Sequence, residues 1–291
     1  MSFTIEIVNI DDEHTDLQIR NLVQVAFNET TILTSFHIAN NIKSNASRPG
    51  FMLAAKYNDE IVGCNAFLPY DFTLNNQRWV GYQSCWSATH PDHQGKGIFA
   101  AIINEAKQKL KAEGAGFIYG MANDNSHSIF VNKLGFSEIP AVVTRIPGIP
   151  LLKTARLTTV ATDKIDICMV DEAQVKEHKG MQFPAEVKCI HYKDSWIWGK
   201  LLKKIKNGIT IPVFYAGGFH LADDADIKPL IAKVFEAEKI LLLQVLSCGS
   251  NSLNVLFKGW RPAKVNPFIF YNLNMPPARH FNIMQGIIDV F

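Results

Sequence analysis

The residue types best suited to chemistry stand together in one polar segment in the middle of the chain, residues 89–99. Gly95 and Gly97 lack a Cβ, so the backbone there can approach an anion closely and adopt positive φ values. The segment leads into a predicted helix, whose first N–H groups have no partners within the helix and lie at the positive end of its dipole. Lys96 adds a positive charge. This pattern predicts a binding site for a phosphate or pyrophosphate group.

Two other phosphate-binding motifs are excluded by the same residues. The P-loop spacing G-x-x-x-x-G-K-[ST] is absent, and the dinucleotide motif G-x-G-x-x-G would require glycine where the chain has Ala100. The dinucleotide motif also opens a β-α-β unit, whereas the strand before this segment is predicted to be antiparallel to its neighbours.

The elements that must position this segment form an α/β pattern with a mixed sheet. Alternating apolar residues separated by turns predict antiparallel strands before the glycines, and apolar residues at helical spacing predict the helix after them. After a first strand and helix, the predicted elements are a helix at 35–42, strands at 51–57, 61–74 and 79–89, a helix at 98–113, a strand at 117–121, a helix at 126–134 and a strand at 137–146.

In this context the sequence resembles the GNAT superfamily of acyl-CoA-dependent N-acyltransferases. The family motif Q/R-x-x-G-x-G/A matches the run from Gln94 to Phe99. Asn125 stands at the expected distance after the fifth strand, and the run NKLGF at 132–136 is similar to the common Y-x-K-x-G-F. The order of elements also fits, and the resemblance covers residues 3–147.

The resemblance implies that acetyl-CoA is the cosubstrate and that no metal is needed. It implies that backbone amides of the motif hold the pyrophosphate and that pantetheine lies between splayed fourth and fifth strands. A strand-edge N–H would stabilise the oxyanion when an amine attacks the thioester. The residues so implied in coenzyme binding are Ser87, Ala88, Thr89, Gln94, Gly95, Lys96, Gly97, Ile98, Phe99 and Asn125.

The chain departs from the family pattern where protons are transferred. Phe99 replaces the last small residue of the loop motif, and Phe130 and Val131 stand where many members carry the tyrosine that protonates the thiolate. Gln83 stands where lysine-acetylating members carry a glutamate base. The proton-transfer groups therefore have to be sought elsewhere.

His90 and Tyr119 are the candidates for proton transfer, with a solvated loop histidine and a packed tyrosine as the alternative interpretations. Strict strand alternation places Gln83, Cys85, Ser87 and Thr89 on one face, and Ser84, Trp86 and Ala88 on the other. Gln83 and Cys85 are therefore candidates for acceptor binding, and hydrogen-bonded strand residues are the alternative.

The second half repeats the end of the first half when the numbering is shifted by 124, so that 117–119 falls on 241–243 and Gly135 on Gly259. We expect a second, degenerate GNAT-like lobe, although an unrelated α/β domain would also fit. Its loop at 220–226 carries three carboxylates and no glycine, which predicts that it does not bind phosphate. A helix is expected at 193–202, with Trp196 and Trp198 packed on it.

Composition limits the remaining classes. The 291 residues predict two domains, 1–150 and 151–291, and the net charge of +2 argues against a nucleic-acid-binding protein. No apolar run is long enough to span a membrane. The five cysteines form no C-x-x-C pair, which favours free thiols in the cytoplasm over disulfides or a thiolate metal site.

These patterns together predict a mixed α/β fold, with a GNAT fold in the first half and a GNAT-like lobe in the second. The expected activity is transfer of an acetyl or short acyl group from acyl-CoA to a primary amine of a small molecule, by a monomer or homodimer. Two alternatives stay open: a non-catalytic acyl-CoA-binding or sensing protein, and an aminoacyl transferase of the Fem type, against which the near-neutral charge argues.

Overall fold

The computed structural model describes residues 2–28, 42–43, 48–74, 77–148, 156–158, 166–167, 187–248, 254–256, 263–277 and 283–284. The α-helices are α1 Glu13–Phe27, α2 Ile98–Ala112, α3 Asp124–Ser128 and α4 Ile227–Glu238. The strands of the first half are β1 Thr4–Ile7, β2 Phe51–Tyr57, β3 Glu60–Leu74, β4 Gln77–Thr89, β5 Phe117–Met121, β6 Ser137–Ile139 and β7 Ala141–Pro147. Those of the second half are β8 Arg156–Thr158, β9 Asp166–Ile167, β10 Val187–Tyr192, β11 Ser195–Lys206, β12 Ile209–His220, β13 Leu242–Cys248, β14 Asn254–Leu256, β15 Ala263–Lys264, β16 Phe268–Asn272 and β17 Ile283–Met284.

The first sheet runs in the order β1-β2-β3-β4-β5-β16-β6, with β9 paired to β3. The pairs β1/β2 and β2/β3 are antiparallel, whereas β4/β5 is parallel. Because parallel neighbours need a crossover connection, a helix must lie between β4 and β5 in the chain, and α2 is that helix.

Helix α2 packs on this sheet through one apolar face. Its buried residues are Ile98, Ile102, Ile103, Ala106 and Leu110, at helical spacing. They meet the apolar side chains of the sheet in one core cluster. Gly63 on β3 allows the first turn to come close, since a Cβ at that position would lie 2.6 Å from the Ile98 Cγ2 atom. The packing therefore fixes where the helix begins.

The second sheet runs in the order β10-β11-β12-β13-β7-β15, with β17 paired to β13. Here too a helix, α4, connects two parallel strands, β12 and β13. Its apolar face packs on Phe214, Leu243 and their neighbours in a second core cluster. Strands β8 and β14 form a separate two-stranded sheet.

Two strands cross the predicted boundary at residue 150. Pro140 separates β6, which stays in the first sheet, from β7, which pairs with β13 in the second sheet. In return β16 lies between β5 and β6 in the first sheet. The two compact units of the structure follow these exchanges, and each contains residues from both halves of the chain. The single strand expected at 137–146 is thus two strands in different sheets.

Most other predicted elements of the first half are confirmed to within two residues, and the mixed α/β fold is confirmed. The helix expected at 193–202 is wrong, because this stretch belongs mainly to strand β11. The helix expected at 35–42 falls almost wholly outside the described residues. No helix in the described part of the chain is long and apolar enough to cross a membrane.

Candidate active site

Strand β4 leaves its parallel partner before it ends. Its ladder with β5 joins Gly81–Gln83 to Phe117–Tyr119, and β4 then continues to Thr89. Trp86 has a φ of 56°, in the left-handed region that residues other than glycine rarely adopt. It therefore marks a β-bulge. The described ladder between β4 and β5 therefore ends at Gln83, before β4 itself does.

Two neighbouring residues of β3 hold this bulge in place. Asn65 has no exposed surface, and its Oδ1 atom accepts hydrogen bonds from the hydroxyls of Ser84, at 3.2 Å, and Ser87. The thiol of Cys64 donates to the Trp86 carbonyl oxygen at 3.7 Å. Burial raises the pKa of the Cys64 thiol to about 12, so it remains a neutral donor.

The bulge overturns one sequence-based expectation. Strict alternation placed Ser84 and Ser87 on opposite faces of β4, yet both hydroxyls reach the same Asn65 oxygen. The extra residue of a bulge shifts the alternation by one position, which is why the serines meet.

The segment after β4 is a short, well-anchored turn. The N–H of His90 donates to the Val62 carbonyl oxygen at 2.9 Å, and Pro91–His93 form one 3-10 turn. The Lys96 Nζ atom donates to the Asp92 carbonyl oxygen at 2.7 Å, and the Gln94 side chain donates to the Thr89 carbonyl oxygen at 3.3 Å. The loop is therefore held by hydrogen bonds from its own side chains to nearby backbone carbonyl oxygens, and by one backbone bond to β3.

Both glycines of the loop are left-handed, with φ of 74° at Gly95 and 79° at Gly97, the residue that begins α2. A Cβ at either position would meet no atom within 4 Å, so the space beside the backbone is open. Glycine is needed at these positions because other residues rarely adopt such φ values. The absence of a side chain also leaves room for a ligand.

Six consecutive backbone N–H groups, those of residues 95–100, donate to no acceptor among the described residues. The first bond of the helix is donated by the next N–H, from Ala101 to the Gly97 carbonyl oxygen at 3.0 Å. No side chain caps α2, and no acidic residue stands in its first turn. Exposed donors, the positive helix end and Lys96 together suit an anion with several oxygens.

The predicted coenzyme and acceptor residues differ widely in exposure. Exposed ones are Gln94, Gly95, Lys96, Gly97 and Asn125; half-buried ones are Ser87, Thr89, His90 and Phe99; buried ones are Gln83, Cys85, Ala88, Ile98 and Tyr119. The structure thus brings the loop residues to the surface and keeps the β4 and β5 side chains inside.

The two candidates for proton transfer lie in different surroundings. His90 is half-buried at the loop, and its Nδ1 atom accepts from the Asp92 N–H at 3.2 Å. Tyr119 has no exposed surface, and its ring centroid lies 5.7 Å from that of Phe117. Only His90 can exchange a proton with solvent in this conformation.

Asn125 lies in the first turn of α3 beside a residue that the sequence analysis missed. The Asn123 side chain accepts the N–H groups of Asn125, at 3.1 Å, and Ser126, at 3.0 Å, and so begins the helix. An asparagine three positions before the first predicted helical residue is a recognisable cap signal. Phe99 packs edge-to-face on Phe130, with ring centroids 5.1 Å apart, so its bulk is directed into the core rather than across the loop.

The described residues contain no group of three or more His, Cys, Asp or Glu side chains placed to hold a metal ion. The candidate site thus consists of backbone donors, one lysine and the end of β4 beyond its ladder with β5.

Comparison with known proteins finds a family model that matches part of the chain. A model of the GNAT acetyltransferase domain matches residues 7–139, whereas no curated protein matches the sequence. Among solved structures, a GCN5-related N-acetyltransferase from Anabaena variabilis is 12% identical with a TM-score of 0.65, over 94% of this chain and 73% of that one.

Two further structures are similar over 94% of this chain. A GCN5-related N-acetyltransferase from Kribbella flavida is 11% identical with a TM-score of 0.63, over 72% of its own chain. Eis1 from Mycobacterium abscessus is 10% identical with a TM-score of 0.56, over 74% of its own chain. At such identities the likeness is one of fold, and it includes both sheets. Residues 7–139 thus match a GNAT acetyltransferase domain.

Proposed function

We propose that this protein is an N-acetyltransferase that moves an acetyl or short acyl group from acyl-CoA to a primary amine of a small molecule. The observation that carries the proposal is the row of N–H groups at residues 95–100, which have no acceptor among the described residues. A pyrophosphate supplies negatively charged oxygens that can accept from such a row of donors. In this proposal the amides from Gly95 to Phe99 bind the pyrophosphate, the Gln94 amide being bonded to the Pro91 carbonyl oxygen, and Asn125 holds the coenzyme from the opposite side.

The end of β4 beyond its ladder with β5 suits the pantetheine arm, whose amides can add to a strand edge. Successive N–H groups of a strand point to opposite edges. Since the N–H of His90 bonds to Val62 on β3, the N–H of Thr89 points toward the side of β5. We therefore assign the oxyanion contact to Thr89 rather than to Ala88, and strand contacts with pantetheine to the segment from Ser87 to Thr89.

Proton transfer in this proposal uses His90, through water if necessary. An imidazole is the commonest general base in enzymes, and His90 is half-buried at the loop with its Nδ1 atom accepting from the Asp92 N–H. Tyr119 is inaccessible, and the Gln83 amide cannot take up a proton at neutral pH. The residues of the second half are proposed to determine the acceptor, in a cytoplasmic protein that is a monomer or homodimer.

Two measurements on the purified protein test the proposal. Isothermal titration with acetyl-CoA should show saturable binding, and release of free CoA thiol should be detected with members of a panel of amino sugars, polyamines and aminoglycosides. Binding without release for any amine would favour the non-catalytic acyl-CoA-binding alternative. Absence of binding would overturn both interpretations.

A further inference from the structure

One row of side chains crosses the second sheet on the face opposite α4. Lys200 on β11 pairs with Tyr215 on β12, Tyr215 with Gln244 on β13, and Gln244 with Arg145 on β7. Paired residues of neighbouring strands share a face. The sequence neighbours Phe214, Leu243 and Ile146 belong to the core under α4, which places this row on the other face.

Two cations of this face converge on one neutral oxygen. The Arg145 Nε atom donates to the Gln244 Oε1 atom at 3.2 Å, and the Lys204 Nζ atom donates to the same oxygen at 3.3 Å. The Nζ atom also lies 5.2 Å from the ring centroid of Tyr215. An amide oxygen orients both groups without neutralising either, so their mutual repulsion is left uncompensated.

Most donors of the two cations are unused. A guanidinium carries five N–H donors and an ammonium three, and in each group one bond to Gln244 is formed. Among the described residues no carboxylate contacts Arg145 or Lys204. Both side chains are exposed, whereas Gln244 and Tyr215 beneath them are 6% and 8% exposed. Arg145 and Lys204 thus form an accessible pair of cations above two buried side chains.

We propose that Arg145 and Lys204, aligned by Gln244, bind the carboxylate or phosphate group of a small anionic ligand at a site separate from the coenzyme loop. The planar guanidinium fits two oxygens of such a group, and the ammonium supplies a second charge. Tyr215 provides an apolar floor under the Lys204 ammonium.

The Arg145 Nε–H resonance in ¹H–¹⁵N NMR, assigned by its loss in Arg145→Gln, reports on this site alone. Titration with inorganic phosphate and, separately, with succinate should shift it saturably, and the tighter of the two identifies the preferred group. Lys204→Gln should weaken the binding by about tenfold or more, as expected for the loss of a charge-assisted bond. Saturating acetyl-CoA should leave the titration unchanged.

Lys203→Gln is the matched control, because Lys203 is an equally charged neighbour in β11 that points to the opposite face of the hairpin. It should leave the affinity within about twofold, since only screened, distant charge is lost. The proposal is overturned if neither anion gives a saturable shift, if Lys203→Gln weakens binding as much as Lys204→Gln, or if acetyl-CoA abolishes the shift. The outcome is independent of whether the protein binds acetyl-CoA.

Discussion

The chain contains the same backbone arrangement twice, with different chemistry at the helix start. In the first unit β4, a 3-10 turn and α2 lead to β5, and in the second β12, a 3-10 turn and α4 lead to β13. In both, the two strands are parallel neighbours and the helix covers one face of the sheet.

The two helix starts differ in the residues that precede them. Neither helix has a side-chain cap or an acidic residue in its first turn, but α2 begins at left-handed Gly97. Helix α4 follows Asp226, a buried residue whose carboxylate accepts from the Lys193 Nζ atom at 3.0 Å and the Ser195 hydroxyl at 2.9 Å. Ser195 in turn accepts the Ala222 N–H at 2.9 Å, which ties the second loop to the sheet.

This difference shows that the arrangement of strands and helix does not by itself make an anion site. One loop carries two left-handed glycines and a lysine, while the other carries a buried carboxylate that is bonded to Lys193 and Ser195. The loss of phosphate binding at 220–226 stays a prediction.

The largest effect is expected when the first loop is given an acidic residue like that of the second. Gly97→Asp should reduce acetyl-CoA affinity by about a hundredfold, because it places a carboxylate beside the phosphates. Gly97→Asn has nearly the same shape and tolerates left-handed φ, so it should bind close to wild type. Isothermal titration of both variants separates charge from shape, and equal affinities would contradict the loop assignment.

The second-largest effect is expected when the buried contacts that hold the bulge are removed. Asn65→Leu leaves the hydroxyls of Ser84 and Ser87 without their acceptor and should lower the free energy of unfolding by about 2 kcal/mol. We also expect a higher KM for acetyl-CoA, since Ser87 to Thr89 lose their anchor. Ser84→Ala removes one donor only and should cost about half as much in urea unfolding. An unchanged KM in Asn65→Leu would show that the bulge does not position the coenzyme.

The close approach of α2 offers a third, smaller test. Gly63→Ala places a Cβ 2.6 Å from Ile98 Cγ2 and should destabilise the first unit by about 1 kcal/mol or more through overpacking. Displacement of the helix start should also weaken acetyl-CoA binding, whereas Gly208→Ala, in the Asn207-Gly208 hairpin turn, should leave coenzyme affinity unchanged. A loss of stability with full coenzyme affinity would mean that the helix start tolerates the shift.

Asp226→Asn should have the smallest effect, and its sign depends on pH. The hydrogen bond from Lys193 lowers the pKa of Asp226 below its usual value of 3.8, an effect that burial opposes and Ser195 reinforces. A lowered folded-state pKa stabilises the protein above the unfolded-state value and ceases to do so as pH falls through the folded-state value. In urea, the free energy of unfolding of the variant should thus be lower than that of the wild type at pH 7. This difference should narrow below about pH 4. A difference in the free energy of unfolding that stays constant down to pH 3 would contradict the ion pair between Lys193 and Asp226.

The sequence predicted the first unit well because its signals are local. Turn dipeptides bound β2, β3 and β4, helical spacing marks α2, and Gln94 to Phe99 carry the family motif. The bulge at Trp86 was missed, since the side chains that hold it, Asn65 above all, come from a neighbouring strand. Burial of Tyr119 likewise depends on non-local packing.

The second unit was predicted less well because its pairing is long-range. Trp196 and Trp198, at near-helical spacing to the lysines that follow them, suggested a helix. The structure instead has two strands, β11 and β12, joined by a two-residue hairpin turn at Asn207-Gly208 with φ of 51° and 76°. That dipeptide was the available signal. Nothing local in β7 or β16 indicates that each joins the sheet formed mainly by the other half of the chain.

The central claim is most directly tested by ¹H–¹⁵N amide NMR during an acetyl-CoA titration. The account predicts that the backbone resonances of residues 95–100 shift together and saturate at one coenzyme per chain, while those at the start of α4 stay in place. Amides 95–100 that remain unmoved while coenzyme binds elsewhere would contradict it.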